Sequence, residues 1–168
     1  VILSHAHVDH SGLLPYLCKS GFNGKIYCTP PTLDLCKILL QDSAHIQEND
    51  IHYINKKREK KGEEPLKPLY NIKDAEHALK QFKTIPYHTK FRLCDEVELT
   101  FTDAGHILGS AVVNLTLFDD DKKLQLTFSG DVGRYNDLLL KSPECFPAAD
   151  YIICESTYGD RLHDVNEA

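Results

Sequence analysis

The sequence contains no methionine and no tryptophan. A chain without Met, opening Val1-Ile2-Leu3-Ser4 in what reads as a core strand and ending Val165-Asn166-Glu167-Ala168 without a cap signal, is expected to be an interior fragment of a longer protein. No run approaches the roughly 18 apolar residues that a bilayer-spanning helix needs. No basic segment followed by an apolar one opens the chain either, so neither a membrane partner nor a secretory leader is expected. Positive charge is in short supply. With 19 Lys and Arg against 25 Asp and Glu, the net charge is −6, which excludes a generally basic surface but leaves room for a local basic groove. None of the six cysteines (Cys18, Cys28, Cys36, Cys94, Cys145, Cys154) forms a C-x-x-C pair. They read as reduced, mostly buried thiols of a cytoplasmic protein. What is present is ordinary for a globular domain, 42% hydrophobic and 26% charged residues, which rules out collagen-like, low-complexity and wholly disordered chains.

Periodicity then divides the chain. Val1–Ser4 reads as a buried strand end and Leu13–Lys19 as a short helix stopped at Gly21. Lys25–Cys28 is a second strand, ended by Thr29-Pro30-Pro31. A helix is expected to begin at Thr32, with Leu33, Cys36, Leu39 and Leu40 at helical spacing, and to end near His45. The polar stretch 47–69, containing Lys56-Lys57-Arg58-Glu59-Lys60-Lys61, reads as a loop or insertion. Its basic run fits a solvated surface better than an RNA track. Asp74–Phe82 returns to helical period through Ala75, Ala78, Leu79 and Phe82. Val97–Thr102 alternates as a half-buried strand should. Ala111–Phe118 and Leu124–Phe128 form a hairpin over Asp119-Asp120-Asp121, and Tyr151–Cys154 is a last, buried strand.

The chemistry concentrates in His5-Ala6-His7-Val8-Asp9-His10. Four potential metal ligands in six residues at a strand end cannot all face one way on a regular element. On an irregular turn they can serve two neighbouring ions, His5 and His7 on one, Asp9 and His10 on the other. Imidazole and carboxylate donors without nearby Cys suit Zn²⁺ in a catalytic rather than a closed structural site. Two further positions complete the pattern: His106, in the Gly105–Gly109 loop after the alternating strand, and Asp131, at the Gly130 turn after the next hairpin strand.

The run His5–His10 with His106 and Asp131 downstream resembles the metallo-β-lactamase superfamily. Ala104-Gly105-His106-Ile107-Leu108-Gly109-Ser110-Ala111 and Glu155-Ser156-Thr157-Tyr158-Gly159 resemble its β-CASP branch, which includes the mRNA 3′-end cleavage endonuclease subunit, and Gly159-Asp160-Arg161 with His163 resembles the prokaryotic members. The resemblance implies an α/β chain with the αββα metallo-β-lactamase sandwich, incomplete at both ends. Residues 1–168 would be a partial domain with 47–69 as a polar insertion, lacking an upstream aspartate-bearing strand, the downstream β-CASP domain and two histidines that follow Glu155. It implies two Zn²⁺ ions. His5, His7 and His106 would hold the first and Asp9 and His10 the second, with Asp131 bridging. Glu155 would support a histidine that protonates the leaving group, although a strand-end carboxylate can equally sit in an ordinary salt bridge.

On this resemblance the expected function is zinc-dependent hydrolysis of RNA phosphodiesters. Two ions about 3.5–4 Å apart make hydroxide available and offset charge in an in-line displacement. Asp9 would orient the attacking water or take its proton, and Glu155 would serve the general acid. A thioester or lactam hydrolase and an inactive RNA-processing scaffold are the alternatives. The β-CASP motif argues against the first, and the presence of all six ligands argues against the second. Arg161 and His163 are substrate-binding candidates, the latter with a structural alternative. Tyr158 can stack on a base or pack under the site. Arg134 fits a loop salt bridge better than a substrate clamp, and His52 and His77 read as surface residues. RNA is the expected partner, and a homodimer is compatible with the sequence.

Overall fold

The computed structural model describes residues 1–120, 122–157 and 159–160. Val1–Leu3 runs extended beside β1 (Ile26–Cys28): Leu3 N donates to Tyr27 O at 2.8 Å and Tyr27 N to Val1 O at 2.9 Å. β1 pairs in parallel with β2 (Phe82–Thr84). The second sheet has β3 (Phe91–Cys94), β4 (Val97–Asp103), β5 (Ala111–Asp119), β6 (Lys122–Phe128) and β7 (Tyr151–Ile153) in sequential order. Pairing is antiparallel up to β6, and β7 joins β6 in parallel.

Four helices precede this sheet: α1 (Val8–Ser11), α2 (Leu14–Lys19), α3 (Pro30–Glu59) and α4 (Ile72–Leu79). α3 corrects the reading of the sequence twice. It starts two residues early, because Thr29 is the N-cap, accepting from Thr32 N at 3.4 Å. Pro30 and Pro31 then occupy the first turn, where a missing N–H costs nothing. The helix also runs 30 residues, through 47–59, where a loop was expected. No Gly or Pro interrupts the chain between Pro31 and Gly62, and Gln, Glu, Lys and Arg are good helix formers. Lys56, Lys57 and Arg58 occupy its last turn, where cations complement the helix dipole. Only 60–69 is irregular, and Asn55 folds it back onto the helix by bonding both N and O of Leu66 at 2.8 Å.

Two cores result. Leu3, Ile26 and Cys28 of the first sheet pack against Leu14, Cys18, Cys36, Leu40, Ala44, Ala75 and Ala78 of the helices. Ile2 and Tyr27 on the other face of that sheet meet Leu99, Phe101, Ala111 and Val113 of the second. The described residues therefore stack as helix, sheet, sheet, an α/β sandwich. Each fully buried large side chain such as Leu40 or Phe101 contributes about 2–3 kcal/mol. On the far face of the second sheet, Asn114 links three strands: its Nδ2 donates to Thr102 Oγ1 at 3.2 Å and its Oδ1 accepts from Thr127 Oγ1 at 3.0 Å.

Three more expectations need correction. β7 is exposed, with Tyr151 at 62% and Ile153 at 55%, because the narrow first sheet does not reach far enough to cover it. Cys94, Cys145 and Cys154 are exposed, while Cys18, Cys28 and Cys36 are buried as expected. Phe82 opens β2 rather than closing α4, and β3 was not anticipated.

Burial pushes the thiols of Cys28 and Cys36 up to about 12. A maleimide should therefore modify Cys94, Cys145 and Cys154 in the folded protein, and Cys18, Cys28 and Cys36 only after denaturation, as intact mass will read. α4 offers a second check. Asp74 completes a capping box with Asn71, and Lys19 on α2 bonds it at 2.8 Å. The Lys19 bond, and then the Asn71 N–H, hold the Asp74 carboxyl below its ordinary value. An acid with a lowered pKa stabilises the fold above its unfolded value and loses that contribution as pH falls through the folded one. Asp74→Asn should cost on the order of 1 kcal/mol at neutral pH, with the gap to the parent closing below about pH 4 in urea titrations.

Candidate metal centre

The topology delivers the sequence-predicted residues to one edge. β4 and β6 both run antiparallel to β5, hence parallel to each other, and β7 runs with β6. Ala111 N, at the start of β5, donates to Ser4 O at 2.8 Å, so the opening strand ends at this same edge. The chain leaving each strand carries one part of the site: His5–His10, His106, Asp131 and Glu155.

There the donor atoms converge. His5 Nε2 and His106 Nε2 each lie 3.1 Å from His7 Nδ1. Asp131 Oδ2 is 3.6 Å from His5 Nε2 and 3.5 Å from His106 Nε2, and one ligand atom from each of these four residues lies within 4.8 Å of the others. The other oxygen of Asp131 faces away: Oδ1 is 3.2 Å from His10 Nε2, which is 3.5 Å from Asp9 Oδ2. Two donor sets thus share one carboxylate. Ring nitrogens this close repel unless a proton or a cation lies between them, and His5, His7, His106 and Asp131 together form a group that could hold a metal ion.

Local chemistry fixes each donor. A proton on His5 Nδ1 donated to Ser4 Oγ, 3.1 Å away, leaves the Nε2 lone pair facing the cluster. Ser110 Oγ accepts from His106 N at 3.0 Å and Ile107 N at 3.2 Å, and Asp103 Oδ1 accepts from Gly105 N at 2.9 Å. Gly130 turns the chain at φ +57°, where a side chain would strike Ser4 Oγ. Gly133 is tighter still: its N–H donates to Ala104 O at 2.8 Å, and a Cβ there would overlap the carbonyl of Gly105. Gly133 thus stitches the Asp131 turn to the His106 turn, and Gly130 seats it on Ser4. The sequence reading missed Ser4, Ser110 and Gly133; a hydroxyl directly before a ligand histidine was the available signal for the first.

Electrostatics favours a neutral ring at His5 and at His106. His5 is fully buried, and that burial, reinforced by His10, His7 and His106 and opposed by Asp131, pushes it down to about 4. His106 is lowered as well, first by burial, with Asp131 pulling the other way. Neutral imidazoles keep their lone pairs, as metal ligation requires.

A family profile described as a metallo-beta-lactamase superfamily domain matches residues 1–125. The chain belongs to the metallo-β-lactamase superfamily. It is 35% identical to transcription termination factor FttA of Methanothermobacter thermautotrophicus over 160 residues, 95% of this chain and 23% of that protein. It is 36% identical to the factor of the same name from Pyrococcus abyssi over 161 residues, 95% of this chain and 22% of that protein. A protein named as a ribonuclease in Thermus thermophilus is 33% identical over 163 residues, 97% of this chain and 32% of that protein. The chain thus spans about a fifth to a third of the length of the curated relatives it matches. The resemblance to the β-CASP branch extends through these relatives.

Around this superfamily site lies an open cleft of about 740 Å³, lined by His7, Asp9, His10, His106, Asp131, Arg134, Asp137 and Glu155. Asp9 stands at the rim, its side chain 76% exposed. Glu155 is committed locally as well: Oε1 accepts from Val132 N at 2.7 Å, and its own N–H donates to Ser129 Oγ at 3.1 Å. The bond from Val132 ties Glu155 to the residue after Asp131. The N–H groups of Leu139 and Leu140, and more weakly the charge of Arg134, hold the Asp137 carboxyl down. Tyr158, Arg161 and His163 lie outside the described residues. His52 and His77 are exposed, as expected.

Gly133→Ala has no room without separating the His106 and Asp131 turns. It should cost more than the ~1 kcal/mol at which such changes are tolerated, read as a drop in Tm.

Proposed function

We propose that the protein is a zinc-dependent hydrolase cleaving RNA phosphodiester bonds, with His5, His7, His106 and Asp131 holding one Zn²⁺ and Asp9, His10 and Asp131 a second. One observation carries the reading: each oxygen of Asp131 belongs to a different donor set, and neighbouring donors stand 3.1–3.6 Å apart. Ligands about 2.0–2.1 Å from a tetrahedral zinc stand about 3.3–3.4 Å from one another, so this spacing and the donor chemistry fit that ion. When bound, such ions supply Lewis acidity and bring the pKa of a water towards neutrality.

The chain's own residues do the rest. Asp131 fixes the separation of the two donor sets. Asp9, exposed beside His10, is free to orient the attacking water or take its proton. A ribose oxygen is a poor leaving group and wants a general acid. Glu155 supports one, since Val132 N–H occupies only Oε1 and leaves Oε2 for a histidine partner. That histidine, an upstream strand and a β-CASP domain belong to the full architecture we propose for the longer protein.

RNA is favoured by the names of the relatives, a transcription termination factor and a ribonuclease. A scaffold reading would lead one to expect lost ligands, whereas all six are present and grouped. No described helix is long and apolar enough to cross a membrane. Asp131→Ala should lower cleavage of single-stranded RNA by at least about 100-fold, at the upper end of what even an outer-shell change costs, with circular dichroism unchanged. A chelator should abolish cleavage in the parent and Zn²⁺ restore it. Undiminished cleavage by Asp131→Ala would refute the assignment.

A further inference from the structure

His106 comes from a different segment than His5 and His7, so something must hold the two segments in register. The junction between β1 and α3 touches both. Tyr27 pairs with Val1 and Leu3, just ahead of His5. Two residues later Thr29 donates its hydroxyl to Gly109 O at 2.6 Å, and Thr32 donates to the same oxygen at 2.8 Å. Both threonines are fully buried. Gly109 lies three residues after His106, and the turn between them is closed by Ser110 N donating to Ile107 O at 3.0 Å and by His106 N donating to Ser110 Oγ at 3.0 Å.

We propose that Thr29 and Thr32 are positioning residues that set His106 at ligand distance from His7; this rests on the reading of His5, His7, His106 and Asp131 as one zinc site. Neither threonine bonds to a ligand side chain. Their two hydroxyls fill both lone pairs of a carbonyl that is enclosed by the N-cap of α3. A buried carbonyl stripped of its donors must find others, and the turn that carries His106 moves with it. The Tyr27–Thr32 segment thus acts as a bracket between ligand segments about a hundred residues apart in sequence, while supplying no ligand itself.

The test is zinc affinity in the purified protein, by competition with a chromophoric chelator, together with the visible spectrum of the Co²⁺-substituted form. Thr32→Val should weaken Zn²⁺ binding about tenfold, as removal of outer-shell support does, and alter the Co²⁺ band. Thr32→Ser keeps the hydroxyl and should retain parental values. Thr32→Ala removes the hydroxyl without the bulk and serves where Thr32→Val does not fold. Ser43→Ala, which breaks the Ser43–Tyr70 bond away from the site, should lower stability yet leave zinc affinity unchanged. Parental affinity and spectrum in a folded Thr32→Val or Thr32→Ala, or a Thr32→Ser as weak as they are, overturns the positioning role. A parent protein that binds no Zn²⁺ overturns the site reading, and the positioning role with it.

Discussion

Every other feature depends on bringing like-charged donor atoms close together. Three imidazole nitrogens and a carboxylate oxygen sit at the spacing of one coordination polyhedron, and a fourth imidazole lies just beyond, its ring 4.2 Å from that of His5. Protonated, these rings would drive one another apart. Burial of His5 keeps the innermost ring neutral, so the cluster survives until it is given a cation. The chain must also approach itself more closely than a Cβ allows, hence Gly130 against the Ser4 side chain and Gly133 against the Gly105 backbone.

The sandwich answers that demand by direction rather than by size. The opening strand, β4, β6 and β7 all end at one edge, so residues distant in sequence leave the sheets side by side. Such a design is sensitive to register, because a one-residue slip would turn every side chain over and misplace His106 relative to Asp131. The Asn114 amide addresses this on the far face. Thr100 and Thr127 are its direct partners across β4 and β6, and Asn114 bonds the Thr100 carbonyl, Thr102 and Thr127. A buried amide with several satisfied bonds has few alternative alignments, so the polar face fixes the positions of the two strand ends that carry ligands.

The centre was legible because its signal is local and dense: His5 to His10 announce themselves, and Gly105–Gly109 and Gly130 mark the turns that bear His106 and Asp131. The alternating strands were legible for the same reason. The errors have a common physical origin, that polarity and exposure are set by neighbours. The stretch 47–59 is polar because α3 runs on past its packed half, not because the chain turns irregular. Tyr151–Ile153 is apolar yet exposed, since nothing in the first sheet faces it. The Thr29 hydroxyl looked like punctuation before two prolines. Only the fold reveals that it caps a helix and grips the loop that carries His106.

Charge connects composition to chemistry. The chain is net acidic, and among the described residues the cleft is lined by Asp9, Asp131, Asp137 and Glu155 against Arg134 as its one Lys or Arg. A polyanion approaching such a surface meets repulsion. Divalent cations at the two donor sets invert the local field, so on the proposed reading ion binding and substrate binding form one thermodynamic unit. The acidic balance that excludes indiscriminate nucleic-acid binding then becomes a source of selectivity: phosphate is drawn only to the point where the carboxylates have already captured metal, which is also where it would be cut.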